Sequence, residues 1–189
     1  MLSARSKARQ VALGALIVVA CGIVASGQAP VGEYEVKAAF LFNFAKFVEW
    51  PPEAFANASE PVRLCVFGDE DPFDHSLERV VEGKTANGRP MQVVHVHSTK
   101  DLKGCHILFI SWMEEKQTDA LLRTTRGAGI LTVGETDNFA RDGGVINFVL
   151  QQNRVAFEIN VDAAEQNNLK ISSKLLSLAR IVHGVPERN

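Results

Sequence analysis

The sequence predicts a single α/β domain of three layers. Its sheet is mixed and mostly parallel, helices cover both faces, and the C-terminal half carries an antiparallel hairpin. Three observations predict this. Strand-like and helix-like segments alternate four times between residues 62 and 140, which favours a parallel sheet with helices on both sides. His106–Ile110, HILFI, is the kind of apolar run that suits a strand buried on both faces. Val145–Leu150 and Arg154–Asn160 are β-rich runs flanking Gln151-Gln152-Asn153, the pattern of a hairpin.

The first thirty residues read as a leader. Arg5, Lys7 and Arg9 form a basic region, Val11–Ala25 an apolar one, and Ala25, Ser26, Gly27 and Ala29 a small-residue cleavage zone. The apolar run is short for a membrane span. A signal peptide over 1–29 and an exported folded domain over 31–185 are expected. Val18-Val19-Ala20-Cys21 offers a lipoprotein alternative, but the leucine favoured three residues before the cysteine is replaced by Val18.

Glu33–Trp50 reads as one helix. Glu33 and Glu35 complement the dipole of its first turn, and Pro51-Pro52 stops it. Its middle, Ala38–Ala45, is apolar nearly all round except for Asn43. Such a helix is buried on more than one side, or shares a face with a partner.

Val62–Phe67 is a short strand. The acidic stretch after it, Asp69–Asp74, invites a metal or phosphoryl-acceptor reading at a strand end, but a helix start explains it better: Asp71 suits an N-cap, Pro72 the first helical position and Asp74 the third, giving a helix to about Val81. Asn87-Gly88 marks a turn before the strand Met91–His97. Ser111-Trp112-Met113-Glu114 matches a capping box for a helix to about Thr125. Gly129–Val133 is the next strand, and Gly134–Ala140 a short helical turn. After the hairpin, Asp162-Ala163-Ala164-Glu165 reads as another capping box, and Leu169–Val182 as a final amphipathic helix with Leu175, Leu178, Ala179 and Val182 on its apolar face.

Composition narrows the function. The chain has 189 residues, 46% hydrophobic and 22% charged, with net charge −2. The absence of a basic run argues against nucleic-acid binding. No G-x-G-x-x-G or G-x-S-x-G motif is present, so neither dinucleotide binding nor a serine nucleophile is supported, and no cofactor is expected. His95 and His97 share a strand face and could ligate a metal, but need a third ligand from His106 or distant carboxylates; a solvated near-edge strand explains them better, and no metal site is expected. Beyond the leader stand Cys65 and Cys105. They form either a disulfide, natural in an exported chain, or two buried thiols.

Several phrases together resemble the YfiR-like family of exported bacterial proteins: VKAAFLFNFAKFVEWP at 36–51, LCVFGDEDPF at 64–73, GCHILFIS at 104–111, GILTVGE at 129–135, GGVINFV at 143–149, VAFEIN at 155–160 and LKISSKLLSLARIV at 169–182. The resemblance rests on their number, order and spacing. It implies a periplasmic regulator rather than an enzyme, one that represses a membrane-anchored diguanylate cyclase by binding its periplasmic portion. It further implies lowered cyclic di-GMP, less biofilm, an outer-membrane lipoprotein as counter-partner, and a homodimer. Cys65 and Cys105 match one family disulfide; the second cysteine pair of the family's named member is missing.

Candidate contact residues are Asn43 and Phe47 on the opening helix, with Ile146, Phe148 and Glu158 on the hairpin. A second reading is a small-ligand sensor or solute-binding domain, with Trp50, Lys174 and Arg180 lining a crevice at the strand ends.

Overall fold

The computed structural model describes residues 32–111, 113 and 115–184. The expected leader with Cys21, residues Trp112 and Glu114 of the first capping box, and Val185 lie outside the described residues.

In chain order the elements are α1 (Glu33–Phe47), β1 (Val48–Glu49), β2 (Val62–Phe67), α2 (Ser76–Val81), β3 (Thr85–Ala86), β4 (Arg89–Val96), β5 (Ile107–Ile110), α3 (Glu115–Thr125), β6 (Leu131–Gly134), β7 (Ile146–Gln151), β8 (Arg154–Asn160), α4 (Val161–Gln166), β9 (Lys170–Ile171), α5 (Ser173–Leu176) and β10 (Arg180–Val182). The main sheet has eight strands in the order β10-β8-β7-β6-β5-β2-β4-β3, and β1 pairs separately with β9. Strands β4, β2, β5, β6 and β7 run parallel. The β7–β8 hairpin is antiparallel, and β10 returns parallel to β8. The sheet is mixed and mostly parallel, as expected from the alternation.

Strand periodicity sorts the core into two sides. In β2, Val62, Leu64 and Val66 face one cluster and Cys65 the other; in β5, Ile107 and Phe109 face the first, Leu108 and Ile110 the second. α1, α2, α4 and α5 contribute to the first cluster, through Leu41, Leu77, Ala163 and Leu175. α3 covers the opposite face with Leu121 and Leu122. Connections from β2 and β5 therefore leave on opposite sides of the sheet, so a topological switch point lies between these neighbours.

α1 explains its own composition. Phe40 and Phe44 pack on Phe148 and Phe157 of the hairpin, with ring centroids 5.1–6.1 Å apart. α2 and α5 also contact it. An almost uniformly apolar helix is thus enclosed on several sides by its own chain.

Several local expectations are corrected. The opening helix ends at Phe47, because Val48 and Glu49 pair with Ile171 and Lys170 as a short ladder. Asp71 does cap, but it caps a turn: its carboxylate accepts from the Phe73 and His75 N–H groups at 3.0 and 3.1 Å, and α2 starts only at Ser76. The hydroxyl of Ser111 donates to Glu135, and α3 begins at Glu115. The hairpin loop is two residues, Gln152 and Asn153, both with positive φ (49° and 62°), matching the twist of the flanking strands. α4 is capped by Asn160, whose side chain accepts from Ala163 N–H at 3.0 Å, not by Asp162.

The largest correction is 169–182. This segment is not one helix but β9, the four-residue α5 and β10. Two unpaired backbone edges, on β1 and β8, recruit it. Leu175 and Val182 are buried as expected, whereas Leu178 is 71% exposed.

Candidate functional site

The carboxyl ends of β5 and β6 open into a crevice. β6 stops at Gly134, opposite Asn147, while β7 continues to Gln151. The cavity left beside that bare stretch measures about 480 Å³ and takes in Tyr34 and Lys37 from α1, Glu135 and Asp137 after β6, and Asn147 and Phe148 from β7.

Glu135 is its centre. Its carboxylate accepts from Tyr34 Oη at 3.0 Å, Ser111 Oγ at 3.1 Å and Lys37 Nζ at 2.6 Å. Lys37 is buried and also pairs with Glu33 one turn earlier. Its ammonium lies 4.5 Å from the centre of the Tyr34 ring. Burial, reinforced by the charge of Glu135, pushes the Tyr34 hydroxyl up to about 12. Tyr34 therefore stays a donor at physiological pH. The Ser111 hydroxyl donates a hydrogen bond to the same carboxylate, so the group forms a fixed polar floor to the crevice. Asn147 is also buried, and its Oδ1 has no hydrogen-bond partner. A bare buried acceptor beside a cavity is costly unless something supplies a donor.

A second cavity, about 540 Å³, lies by the β1–β9 ladder and is lined by Phe47, Trp50, Phe55 and Arg89. Arg89 stacks 3.7 Å over Phe55 and donates to the carbonyls of Asn57, Ala58 and Glu60, pinning the loop before β2. His106 completes that corner from the buried side. Its Nδ1 accepts from Arg63 N–H at 3.1 Å, and its Nε2 donates to the Ala54 carbonyl at 3.0 Å. Burial lowers its pKa, and it stacks on Phe55. His106 is far from being the third ligand to His95 and His97: it is a neutral structural group.

The disulfide is present. Cys65 in β2 and Cys105 before β5 are bridged, with Cα atoms 5.8 Å apart, in the core under α3. The other candidates are scattered. Asn43 is half-buried and donates to the Ala39 carbonyl in its own helix. Phe47 is half-buried against the core. Ile146 and Phe148 are buried on the hairpin face that packs against α1, and Glu158, on the opposite face, is 2% exposed beneath Arg180. Trp50 donates to the His106 carbonyl at 3.1 Å, Lys174 is exposed on α5, and Arg180 is held by Glu158. Of these three, Trp50 lines the second cavity.

Tyr34, Lys37, Glu135 and Asn147 escaped sequence reasoning. Lys37 carried a usable signal: it precedes Leu41 and Phe44 by four and seven residues, on the buried stripe of α1, where a lysine requires an acid.

The chain forms a doubly wound α/β domain with a crevice at its strand ends, braced by one disulfide. Residues 34–180 match the YfiR/HmsC-like family model, and the chain belongs to that family. Among solved structures it is similar to an ABC domain from Streptococcus pneumoniae in complex with L-Trp, with 9% identity and a TM-score of 0.50. That match covers 79% of this chain but only 60% of the other, and it is a likeness of fold.

Proposed function

We propose that this chain is an exported regulator that represses a membrane-anchored signalling protein, a diguanylate cyclase, by binding its periplasmic portion. The family match over residues 34–180 carries the reading. The disulfide suits an oxidising compartment, and among the described residues no helix is long and apolar enough to cross a membrane. Regulation is by linkage: binding one state of the partner better than the other shifts the partner's equilibrium by that difference. The accessible contacts proposed are Asn43 and Phe47 on α1, with Leu178 and Ile181, exposed apolar residues beside and on the edge strand β10. A homodimer and an outer-membrane lipoprotein as competing partner belong to the same reading.

The test is a pull-down from host membranes joined to a cyclic di-GMP measurement. The protein is expected to capture a membrane protein with an external sensor domain and a cytoplasmic cyclase domain, and its deletion to raise cyclic di-GMP. No capture together with unchanged cyclic di-GMP sinks the proposal.

A second reading, a small-ligand sensor, is favoured by the crevice: Asn147 Oδ1 lacks a donor beside a cavity lined by Tyr34, Lys37 and Glu135. Thermal-shift screening of common metabolites tests it, since ligand binding raises apparent stability by mass action. Asn147→Leu is expected to abolish any shift that the native protein shows.

A further inference from the structure

We propose a site for a divalent transition-metal ion, of which zinc is the type, formed by Asp71, Glu78 and His95. The three residues come from three elements: the turn after β2, α2, and the end of β4. One ligand atom from each lies within 4.8 Å of the other two. A zinc ion binds carboxylate oxygen and imidazole nitrogen at about 2 Å, so a small adjustment of side chains closes this set around one ion.

Two observations make the cluster more than a chance meeting. The first is an unfilled acceptor. Glu78 Oε1 sits 2.9 Å from His95 Nε2, but Glu78 Oε2 is shielded from solvent and has no partner. The Glu78 side chain is 37% exposed as a whole, but this one oxygen is turned inward and is free to take a donor or a cation. The second is an uncompensated pair of carboxylates. Asp71 and Glu78 face one another, and among the described residues neither is ion-paired with a lysine or arginine. The imidazole engages only one of Glu78's oxygens. A divalent ion satisfies both demands together.

The ligands are also held in place. Asp71 is fixed by the Phe73 and His75 N–H groups, each taking one lone pair of a carboxylate that has others to offer. Glu78 stands on α2, anchored by buried Leu77 and Val81. His95 stands on β4 opposite Val66 of β2. Such outer support is what orients metal ligands. The donor set of one imidazole and two carboxylates suits zinc, manganese or iron(II) better than the all-oxygen preferences of calcium and magnesium. Three protein ligands leave a coordination position open for water or for a side chain of a partner. His97 takes no part; it pairs with exposed Asp69 at 3.3 Å.

Calorimetric titration of the chelator-treated, disulfide-bonded protein with zinc chloride tests the site, with calcium and magnesium chloride as comparators. Saturable binding of one zinc ion per chain is expected, with calcium and magnesium weaker. Outer-sphere changes cost metal sites about 10–100-fold in affinity, so loss of a ligand in His95→Ala or Glu78→Gln is expected to cost at least about 10-fold. His97→Ala is expected to bind as the native protein does. His95 is exposed and Glu78 half-exposed, so both variants keep the fold, which circular dichroism checks. No saturable zinc binding by the native protein overturns the proposal, as does equal binding by His95→Ala and Glu78→Gln.

Discussion

Arg180 and Glu158 are register partners across the β10–β8 ladder, and the arginine lays its guanidinium on a carboxylate that is only 2% exposed. The pair is lopsided. Arg180 keeps most of its side chain in water, whereas Glu158 is out of solvent.

That asymmetry sets the first prediction. Arg180→Ala leaves a buried charge without compensation and is expected to cost about 3 kcal/mol. Glu158→Gln removes the charge and leaves an arginine that water can solvate, so its cost is expected to be nearer 1 kcal/mol. Urea unfolding of the two variants measures the difference; equal losses would falsify the assignment of the burden to Glu158.

The Lys37–Glu135 pair is expected to behave as a coupled unit. Lys37→Met leaves the Glu135 charge with only the neutral donors Tyr34 and Ser111, at about 3 kcal/mol, and Glu135→Gln leaves Lys37 with only the more exposed Glu33, at a smaller cost. The double variant is expected to lose less than the sum, with a coupling of about 1–3 kcal/mol. Strict additivity in a double-mutant cycle shows that the contact contributes nothing.

His106 predicts a pH dependence. Its folded pKa is lowered by burial, so the unfolded chain binds the proton more readily. The stability it supports is complete above its unfolded pKa of about 6.5 and is lost as pH falls from there through the folded value. His106→Phe keeps the stack on Phe55 but leaves the Arg63 N–H and Ala54 carbonyl unpaired. It is expected to be less stable at neutral pH by about 1–3 kcal/mol for each unsatisfied group. Its melting temperature is expected to change less than that of the native protein between about pH 7 and pH 5. An unchanged slope rejects the role.

Reduction of the Cys65–Cys105 bridge is expected to lower stability. Closing a loop over a sequence separation of 40 corresponds to about 4 kcal/mol on the chain-entropy account. Cys65→Ser and Cys105→Ser should each reproduce that loss, and the difference between oxidised and reduced native protein should vanish in both. Native-like melting of either variant without reductant rules it out.

Much of this fold was legible in the sequence because its signals are local. Alternation in Val155–Ile159 and the apolar run at Ile107–Ile110 each report a strand without reference to the rest of the chain. The segment 169–182 misled for the opposite reason. Its leucines satisfy a helical period, yet its conformation is decided by the vacant edges of β1 and β8, which no window of that length contains. The same holds for Asp71, Glu78 and His95. Each has an ordinary local explanation, as cap, first-turn acid and strand histidine, and only the parallel pairing of β2 with β4 brings them together. Glu135 is similar, since Tyr34 and Lys37 reach it from about a hundred residues away.

The phenylalanines of α1 carry a cost in time. A chain made from its N-terminus releases Phe40 and Phe44 about a hundred residues before Phe148 and Phe157, the rings they stack on. Until the hairpin emerges, the face of α1 that carries these two rings lacks its partners, although α2 can already pack on the helix. Folding of this face is therefore finished from the far end of the chain, when β7 and β8 close over α1.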